Sequence, residues 1–404
     1  MFATGLYYIF ILFQLLLAVY LVLPLFLLIL HYIRKLLVGD RSPIDKPPFF
    51  KKDFSFAAIV TAHQDTRFIP PLVDSLLKQT YSRIKTYVVA DDCDVSNMRF
   101  DQPGVVLLKP EPALNAKIRS IGHAIENFSE PHDVLVIFDS DNLVHPRYFE
   151  YLNRYFQQGY LAVQTHMLSK NTASKYAKLD SMGHIYNTFL DRQMRMELNL
   201  SSCILGLGIA IETNLYREIM YNNTLGGFDK KLQADIVKAI PQLAFARECI
   251  VYDEKVEDGK TLEKQRTRWL FTYFHYFKIN WNIVKTAVRR LDLKLFYFGF
   301  IMLRPPLIIL VGLAFLAGLC DWFINPLFSI GWLLILLQFA LSFILIIVTQ
   351  SKQKGMTSAF LHIPLVLLRQ ARAIFNLKKA AGGFLKTEHS KIVYIEELLK
   401  DEPF

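Results

Sequence analysis

Two acidic pairs head the residues of this chain that could do chemistry. Asp91 and Asp92 close the apolar run TYVVADD, and Asp139 and Asp141 lie in VLVIFDSDN. In an extended strand residues two apart point the same way, so Asp139 and Asp141 would offer hard oxygen ligands to one divalent cation, and that cation could neutralise a diphosphate. A further acid, Asp235 in GGFDKKLQADIVKAI, falls in a helical pattern after the turn expected at Gly226 and Gly227. A carboxylate near a helix start often only complements the helix dipole; ionised near neutral pH, it can also act as a general base. In EKQRTRW, residues 263–269, Arg268 and a second candidate, Arg266, can donate paired hydrogen bonds to phosphate oxygens. Gln265 adds an amide, and Trp269 a flat face against which a sugar ring can pack. The same stretch would also suit an interfacial helix with snorkelling arginines. Lys117 in PALNAKIRS is open in the same way, either solvated or part of a site.

The elements that must position these residues follow from hydrophobic spacing. FAAIVTA (56–62), TYVVADD (86–92), VVLL (105–108) and VLVIFDS (134–140) read as buried strands rich in branched residues. FIPPLVDSLLKQ, LNAKIRSIGHAIENF and PRYFEYLNRYFQQ between them read as amphipathic helices. Strands alternating with helices predict an α/β domain with a mostly parallel, Rossmann-like sheet covered on both faces. Ligands of such sheets bind beyond the carboxyl ends of the strands, where both acidic pairs fall.

A soluble enzyme is an incomplete reading of 404 residues that are 52% hydrophobic with a net charge of +10. The run from Leu6 to Ile33 has no charged residue and is long enough to span a bilayer; it lacks a basic leader and is too long for a signal-peptide core, so it is expected to remain as an anchor. Arg34, Lys35, Arg41 and Lys46 follow it, which predicts a cytoplasmic domain on a multi-pass inner or plasma membrane protein. Further spans are expected near 296–320 and 326–348, divided at CDWFINP. The segment 358–377 is short and basic, and an interfacial helix is preferred to a further crossing because it keeps Lys352, Lys354, Lys378 and Lys379 on the cytoplasmic side. The expected organisation is an anchor and linker (1–46), a catalytic domain (47–259), the Gln265–Trp269 motif with interfacial helices (260–294), two spans (295–350), and an interfacial helix with a tail (351–404). Cys93, Cys203, Cys249 and Cys320 fit neither a disulfide framework nor a zinc pattern and are expected to be unpaired buried thiols. The basic residues flank membrane segments, so an anionic leaflet explains them better than a nucleic acid does.

Taken in order, TAHQD, ADDCD, NAK, FDSDN, ILGLGIAIE, GGFDKKLQAD and QRTRW, followed by spans, resemble the family 2 inverting glycosyltransferases of GT-A fold. The membrane-embedded cellulose, chitin, hyaluronan and poly-N-acetylglucosamine synthases are the most similar; the resemblance covers about residues 50–282, and the flanks by layout only. The resemblance implies that Thr61 and His63 border the nucleotide, that Asp91 or Asp92 contacts its base, and that Lys117 also contacts the nucleotide. It implies that Asp139 and Asp141 hold Mg²⁺ or Mn²⁺ on the diphosphate, that Asp235 is the catalytic base, and that Gln265, Arg268 and Trp269 serve the acceptor and leaving group. The backbone at Gly206 and Gly208 would approach donor sugar or acceptor closely. The function it implies is processive β-linked polysaccharide synthesis from a nucleotide sugar, a UDP-sugar; the alternative is a single transfer to a lipid or lipid-linked acceptor. A homo-oligomer or partner subunit could complete a path for secretion. Where many relatives carry Thr-Glu-Asp, this chain has Gln233, Ala234 and Asp235.

Overall fold

The computed structural model describes residues 2–220, 228–351, 355–376 and 391–400. Gly226, Gly227, Lys352, Lys354, Lys378 and Lys379, which carried expectations above, lie outside the described residues. In chain order the elements are α1 (Phe2–Val38), β1 (Phe56–His63), α2 (Ile69–Leu77), β2 (Ile84–Asp91), β3 (Val105–Leu108), α3 (Lys117–Glu126), β4 (Val134–Asp139), β5 (Leu143–Val144), α4 (Tyr148–Gln157) and β6 (Ala162–Ser169). There follow α5 (Lys175–Thr188), a π-helical segment (Phe189–Gln193), α6 (Met194–Glu197), β7 (Ile209–Glu212), α7 (Thr213–Met220), α8 (Phe228–Ala239) and β8 (Ala244–Asp253). The rest is helical: α9 (Gly259–His275), α10 (Phe277–Arg290), α11 (Leu293–Met302), α12 (Leu307–Ile324), α13 (Pro326–Gln350), a 3₁₀ turn (Met356–His362), α14 (Ile363–Phe375) and α15 (Ile395–Leu399). These elements fall into two compact units, a sheet unit (residues 41–172, 198–255 and 388–404) and a helical unit (residues 1–40, 173–197 and 256–387).

The sheet unit holds an eight-stranded sheet in the order β3-β2-β1-β4-β7-β6-β8-β5. Its first half is parallel, β2 and β4 flanking β1 and β3 outside β2, as the branched runs predicted. Beyond β4 the pattern changes: β7 is antiparallel to both β4 and β6, β6 is parallel to β8, and β5 is antiparallel to β8. The sheet is therefore mixed, with four of its seven ladders parallel. Residues 56–60 of β1 and 134–138 of β4 are buried, as expected of central strands covered on both faces.

In the helical unit α1, α12 and α13 are long and apolar enough to cross a membrane. Even α12, with 18 residues, reaches roughly 27 Å at about 1.5 Å per residue. The span expected over 296–320 is interrupted, because Arg304, Pro305 and Pro306 separate α11 from α12. Proline has no amide hydrogen to continue the ladder, and side chains take the carbonyls left at the end of α11. Tyr20 and Tyr273 hydroxyls donate to Phe300 O and Leu303 O, both at 2.9 Å, and Asn280 Nδ2 donates to Met302 O at 3.1 Å. Arg304 turns to protein, donating to Asp191 Oδ2 at 2.8 Å, which avoids the cost of a lone guanidinium in hydrocarbon. The three long helices are tied by Gln14, which donates to Asp321 Oδ1 at 3.1 Å and accepts from Trp332 Nε1 at 2.8 Å. All four cysteines are free thiols, but Cys320 is exposed, not buried: it lies near the end of α12, where packing is sparse.

Candidate active site

The parallel half of the sheet brings the ends of β1, β2 and β4 side by side, with Thr61 in register with Asp139 and His63 with Asp91. Asp91 is 1% exposed and fully engaged. Its carboxylate accepts the amides of Leu114 at 2.6 Å and Asn115 at 2.8 Å, and its Oδ2 lies 3.1 Å from His63 Nδ1. Those amides belong to the turn entering α3, where Asn115 has a φ of +53°, a left-handed conformation that asparagine tolerates. Asp91 thus seats Lys117, the first residue of α3. Lys117 is not a lone solvated lysine: Nζ meets Asp139 Oδ1 at 2.5 Å and donates to Gly206 O at 2.9 Å. Asp92 is exposed, has a φ of +50°, and accepts from Gln64 Nε2 at 2.7 Å.

The glycine loop is anchored from below. Gln233 accepts the Ile204 amide at 2.8 Å, and Gln164 accepts that of Leu205 at 2.9 Å and donates to Leu207 O at 3.0 Å. Gly208 has a φ of +60°, and a Cβ there would run into Thr165 Oγ1 and Val251 Cγ1, so no other residue fits. The departure at Gln233-Ala234 also has a physical reason: both are 1% exposed, so position 234 faces the core, where an acidic side chain would be buried.

The two acids of the Asp139 pair differ more than strand alternation implied. Strand β4 ends at Asp139, and a turn follows, closed by the Asn142 amide on Asp139 O at 3.0 Å, so Asp141 lies outside the period-two geometry. The Asp139 carboxylate is 39% exposed, whereas Asp141 is buried. Around the turn stand residues that the sequence reading passed over. Asn142 accepts the Asp139 amide at 3.0 Å and donates to Asp253 Oδ1 at 3.3 Å. Lys170 donates to Asp141 O, and burial pushes the pKa of its ammonium down, against the pull of Asp141, Asp253 and Glu254. Lys255 Nζ donates to Asp253 Oδ2 at 2.9 Å. The asparagine in FDSDN was a usable signal; Lys170 and Asp253 sit at the ends of β6 and β8, which only the folded topology brings to this turn. Among the described residues no group of three or more His, Cys, Asp or Glu is placed to cage a metal. The donors at this turn, the Asp139 and Asp141 carboxylates, are hard oxygens of the kind Mg²⁺ and similar ions take.

Asp235 lies two turns inside α8 rather than at its start, so it is no capping residue. Its oxygens meet Lys231 Nζ at 3.1 Å and Lys238 Nζ at 3.0 Å. Asp229 of the same helix lies beneath Gly206, its Cβ 3.6 Å from where a Gly206 Cβ would be.

Gln265, Arg268 and Trp269 lie on α9 of the helical unit, a helix capped by Asp258, which accepts the amides of Lys260 at 2.8 Å and Thr261 at 3.0 Å. Arg266 is committed: it donates to the buried Asp180 at 2.5 Å and covers the Trp269 ring at 4.4 Å. Gln265 Oε1 is buried with no hydrogen-bond partner among the described residues, and Trp269 is 46% exposed.

A family model described as glycosyltransferase like family 2 matches residues 53–272, more than half of the chain. The chain belongs to that family. It is a glycosyltransferase, and the match runs from β1 through the Gln265–Trp269 helix. Among solved structures, this glycosyltransferase is similar to the mannosyltransferase PcManGT from Pyrobaculum calidifontis, solved in complex with GDP-Man and Mn²⁺: TM-score 0.57 and 14% identity, covering 90% of this chain and 98% of that one. That likeness is one of fold and agrees with a GT-A-like sheet unit accompanied by long apolar helices. S. aureus TarS (TM-score 0.38, 14% identity, 57% of this chain and 40% of that one) and GalNAc-T7 with UDP, GalNAc and Mn²⁺ (0.40, 13%, 50% and 44%) are similar over smaller parts. No curated protein matches the chain.

Proposed function

We propose that this glycosyltransferase is a membrane-bound inverting enzyme that moves a sugar from a nucleotide sugar, a UDP-sugar, to a growing polysaccharide, forming β-linkages processively. The observation that carries the reading is the meeting of Lys117 and Asp139 beside the Gly206 carbonyl at the carboxyl edge of the sheet. A lysine and a carboxylate so placed suit a diphosphate and its counter-cation. Of the two candidates for the base contact we assign Asp92, since it is exposed while Asp91 is engaged with the backbone. The acceptor end falls to α9: the buried Gln265 Oε1 suits a sugar hydroxyl as donor, and the half-exposed Trp269 ring suits a sugar face.

In the reaction the acceptor hydroxyl gives its proton to Asp235 as its oxygen attacks the anomeric carbon. The bond from that carbon to the diphosphate breaks on the opposite face, which inverts the linkage. Lys117 bears on the leaving diphosphate; Mg²⁺ or Mn²⁺ held by Asp139 and Asp141 would add positive charge there. Asp235→Asn should cut transfer by about 10²-fold to 10⁴-fold, the usual worth of a general base, with nucleotide binding kept. Full activity in that variant would remove Asp235 from the role.

A second reading, single transfer to a lipid-linked acceptor, is favoured by the count of three candidate spans among the described residues. Membranes supplied with labelled nucleotide sugars separate the two readings by product size. A long polymer ladder supports the first, one sugar on a solvent-extractable lipid the second, and neither transfer nor donor hydrolysis with any nucleotide sugar overturns both.

A further inference from the structure

The C-terminal residues 391–400 belong to the sheet unit, although the chain has meanwhile passed through α9 to α14 of the helical unit. They return to a specific place. Ile395, 1% exposed, packs with Leu143 and Tyr252, with Leu168, Ile250 and Val393 around them. Leu143 and Tyr252 are a paired couple of the β5–β8 ladder, and Leu143 comes directly after Asn142 of the Asp139–Asn142 turn. The Lys391 amide donates to Glu254 at 3.2 Å, one residue beyond Asp253, which Asn142 contacts. On the other side Lys78, at the end of α2, pairs with Glu396.

Strand β5 is two residues long and ends the sheet order. A ladder that short is marginal, and an uncovered edge is free to fray. The turn bearing Asp139 and Asp141 has β4 on one side, a long central strand, and β5 on the other. Whatever holds β5 therefore holds the far end of the turn.

We propose that residues 391–400 are a positioning element of the donor site: Ile395 on Leu143 and Tyr252, and the Lys391 amide on Glu254, fix the β5 and β8 ends that carry Asp141, Asn142 and Asp253. The tail thereby sets the affinity for the cation and diphosphate of the donor. The inference rests on the proposed role of Asp139 and Asp141 and goes beyond it, in giving Ile395 a part in donor binding without touching the donor.

The test uses the purified full chain and Ile395→Ala, with Ile395→Val as the conservative rescue and Lys391→Pro, which removes the amide donor at that position together with the lysine side chain. Two measurements are made. Hydrogen exchange of residues 139–145 is followed without metal or nucleotide, and the Mn²⁺ concentration giving half-maximal donor hydrolysis is determined together with kcat at saturating Mn²⁺. In Ile395→Ala, exchange at 139–145 should quicken and the Mn²⁺ requirement should rise roughly tenfold, the effect typical of losing support around a metal site, with kcat at saturation nearly unchanged. Ile395→Val should restore most of both, and Lys391→Pro should move both in the same direction by less. Unchanged exchange in Ile395→Ala overturns the proposal, as does a fall in kcat at an unchanged Mn²⁺ requirement, which is the mark of general destabilisation. If Ile395→Ala does not fold, Lys391→Pro decides by the same criteria. Hydrolysis indifferent to Mn²⁺ in the parent chain would count against the metal role of Asp139 and Asp141, and the exchange arm would still decide for or against the tail.

Discussion

Asp91 and Asp92 are neighbours of one type, yet the fold gives them different work. The partners of Asp91 are amides 23 and 24 residues further on, so nothing local in ADDCD marks it as the residue that seats the turn before Lys117. The acids themselves were legible because they end apolar strands; their division of labour was not, because it depends on which carboxylate faces inward as β2 ends. Asparagine at 91 keeps one acceptor oxygen and turns an NH₂ toward a backbone N–H, an unsatisfied arrangement that costs about 1–3 kcal/mol. Asp91→Asn should therefore lower the thermal midpoint and also raise the donor KM roughly tenfold, the equivalent of about 1.4 kcal/mol of lost binding. Asp92→Asn should raise the donor KM with the midpoint unmoved. Calorimetry and donor kinetics on the two variants check this, and equal destabilisation by both would undo the distinction. The same reasoning covers Lys117, which the sequence leaves ambiguous and the fold resolves: its partners, Asp139 and Gly206, are 22 and 89 residues away.

Among the elements, β1 to β4 and the helices between them are legible because each is a run of branched apolar residues or an amphipathic repeat. The second half of the sheet is not, since β5 has two residues, β7 has four, and the reversal of β7 against β4 depends on long-range pairing. The break between α11 and α12 was legible as Pro305 and Pro306 but not as a change of span, because the apolar composition continues through it. At the opposite end of the parallel strands from the donor site, Asp133 ties the starts of β1 and β4 together. Its carboxylate takes Lys52 Nζ at 2.6 Å, the Ser55 amide at 2.9 Å and the Ser55 hydroxyl at 3.0 Å. Partial burial works against its charge, but Lys52 and the two Ser55 donors outweigh that and hold its pKa below the usual carboxylate value. A depressed carboxylate stabilises the fold fully above the unfolded pKa and loses that contribution as pH falls through the folded one. Asp133→Ala should cost about 1–3 kcal/mol at neutral pH, and the gap from the parent chain should close as pH drops below about 4. Thermal unfolding in detergent from pH 7 to pH 3 reads this directly; a gap that widens in acid would reverse the sign argued here.

For the molecule as a whole, composition alone made the long apolar helices legible, and the basic residues after α1 carry the expectation about sidedness. If, as expected, Arg34, Lys35, Arg41 and Lys46 keep the end of α1 on the cytoplasmic face and α12 and α13 both cross, the turn between them at Asn325 falls on the far side. The helical unit supplies its own reporter there. Cys320 is exposed near the end of α12, whereas Cys93, Cys203 and Cys249 are buried in the sheet unit. A membrane-impermeant maleimide added to intact cells should therefore label the chain at Cys320, and Cys320→Ser should abolish that labelling. Because lipid could shield a thiol within the helix, Phe323→Cys in the Cys320→Ser background moves the reporter to a site 86% exposed at the turn. Labelling of that variant before permeabilisation supports a donor site facing the cytoplasm, where nucleotide sugars are made available to it. Labelling only after permeabilisation would turn the molecule over and require the donor to be supplied from the other side.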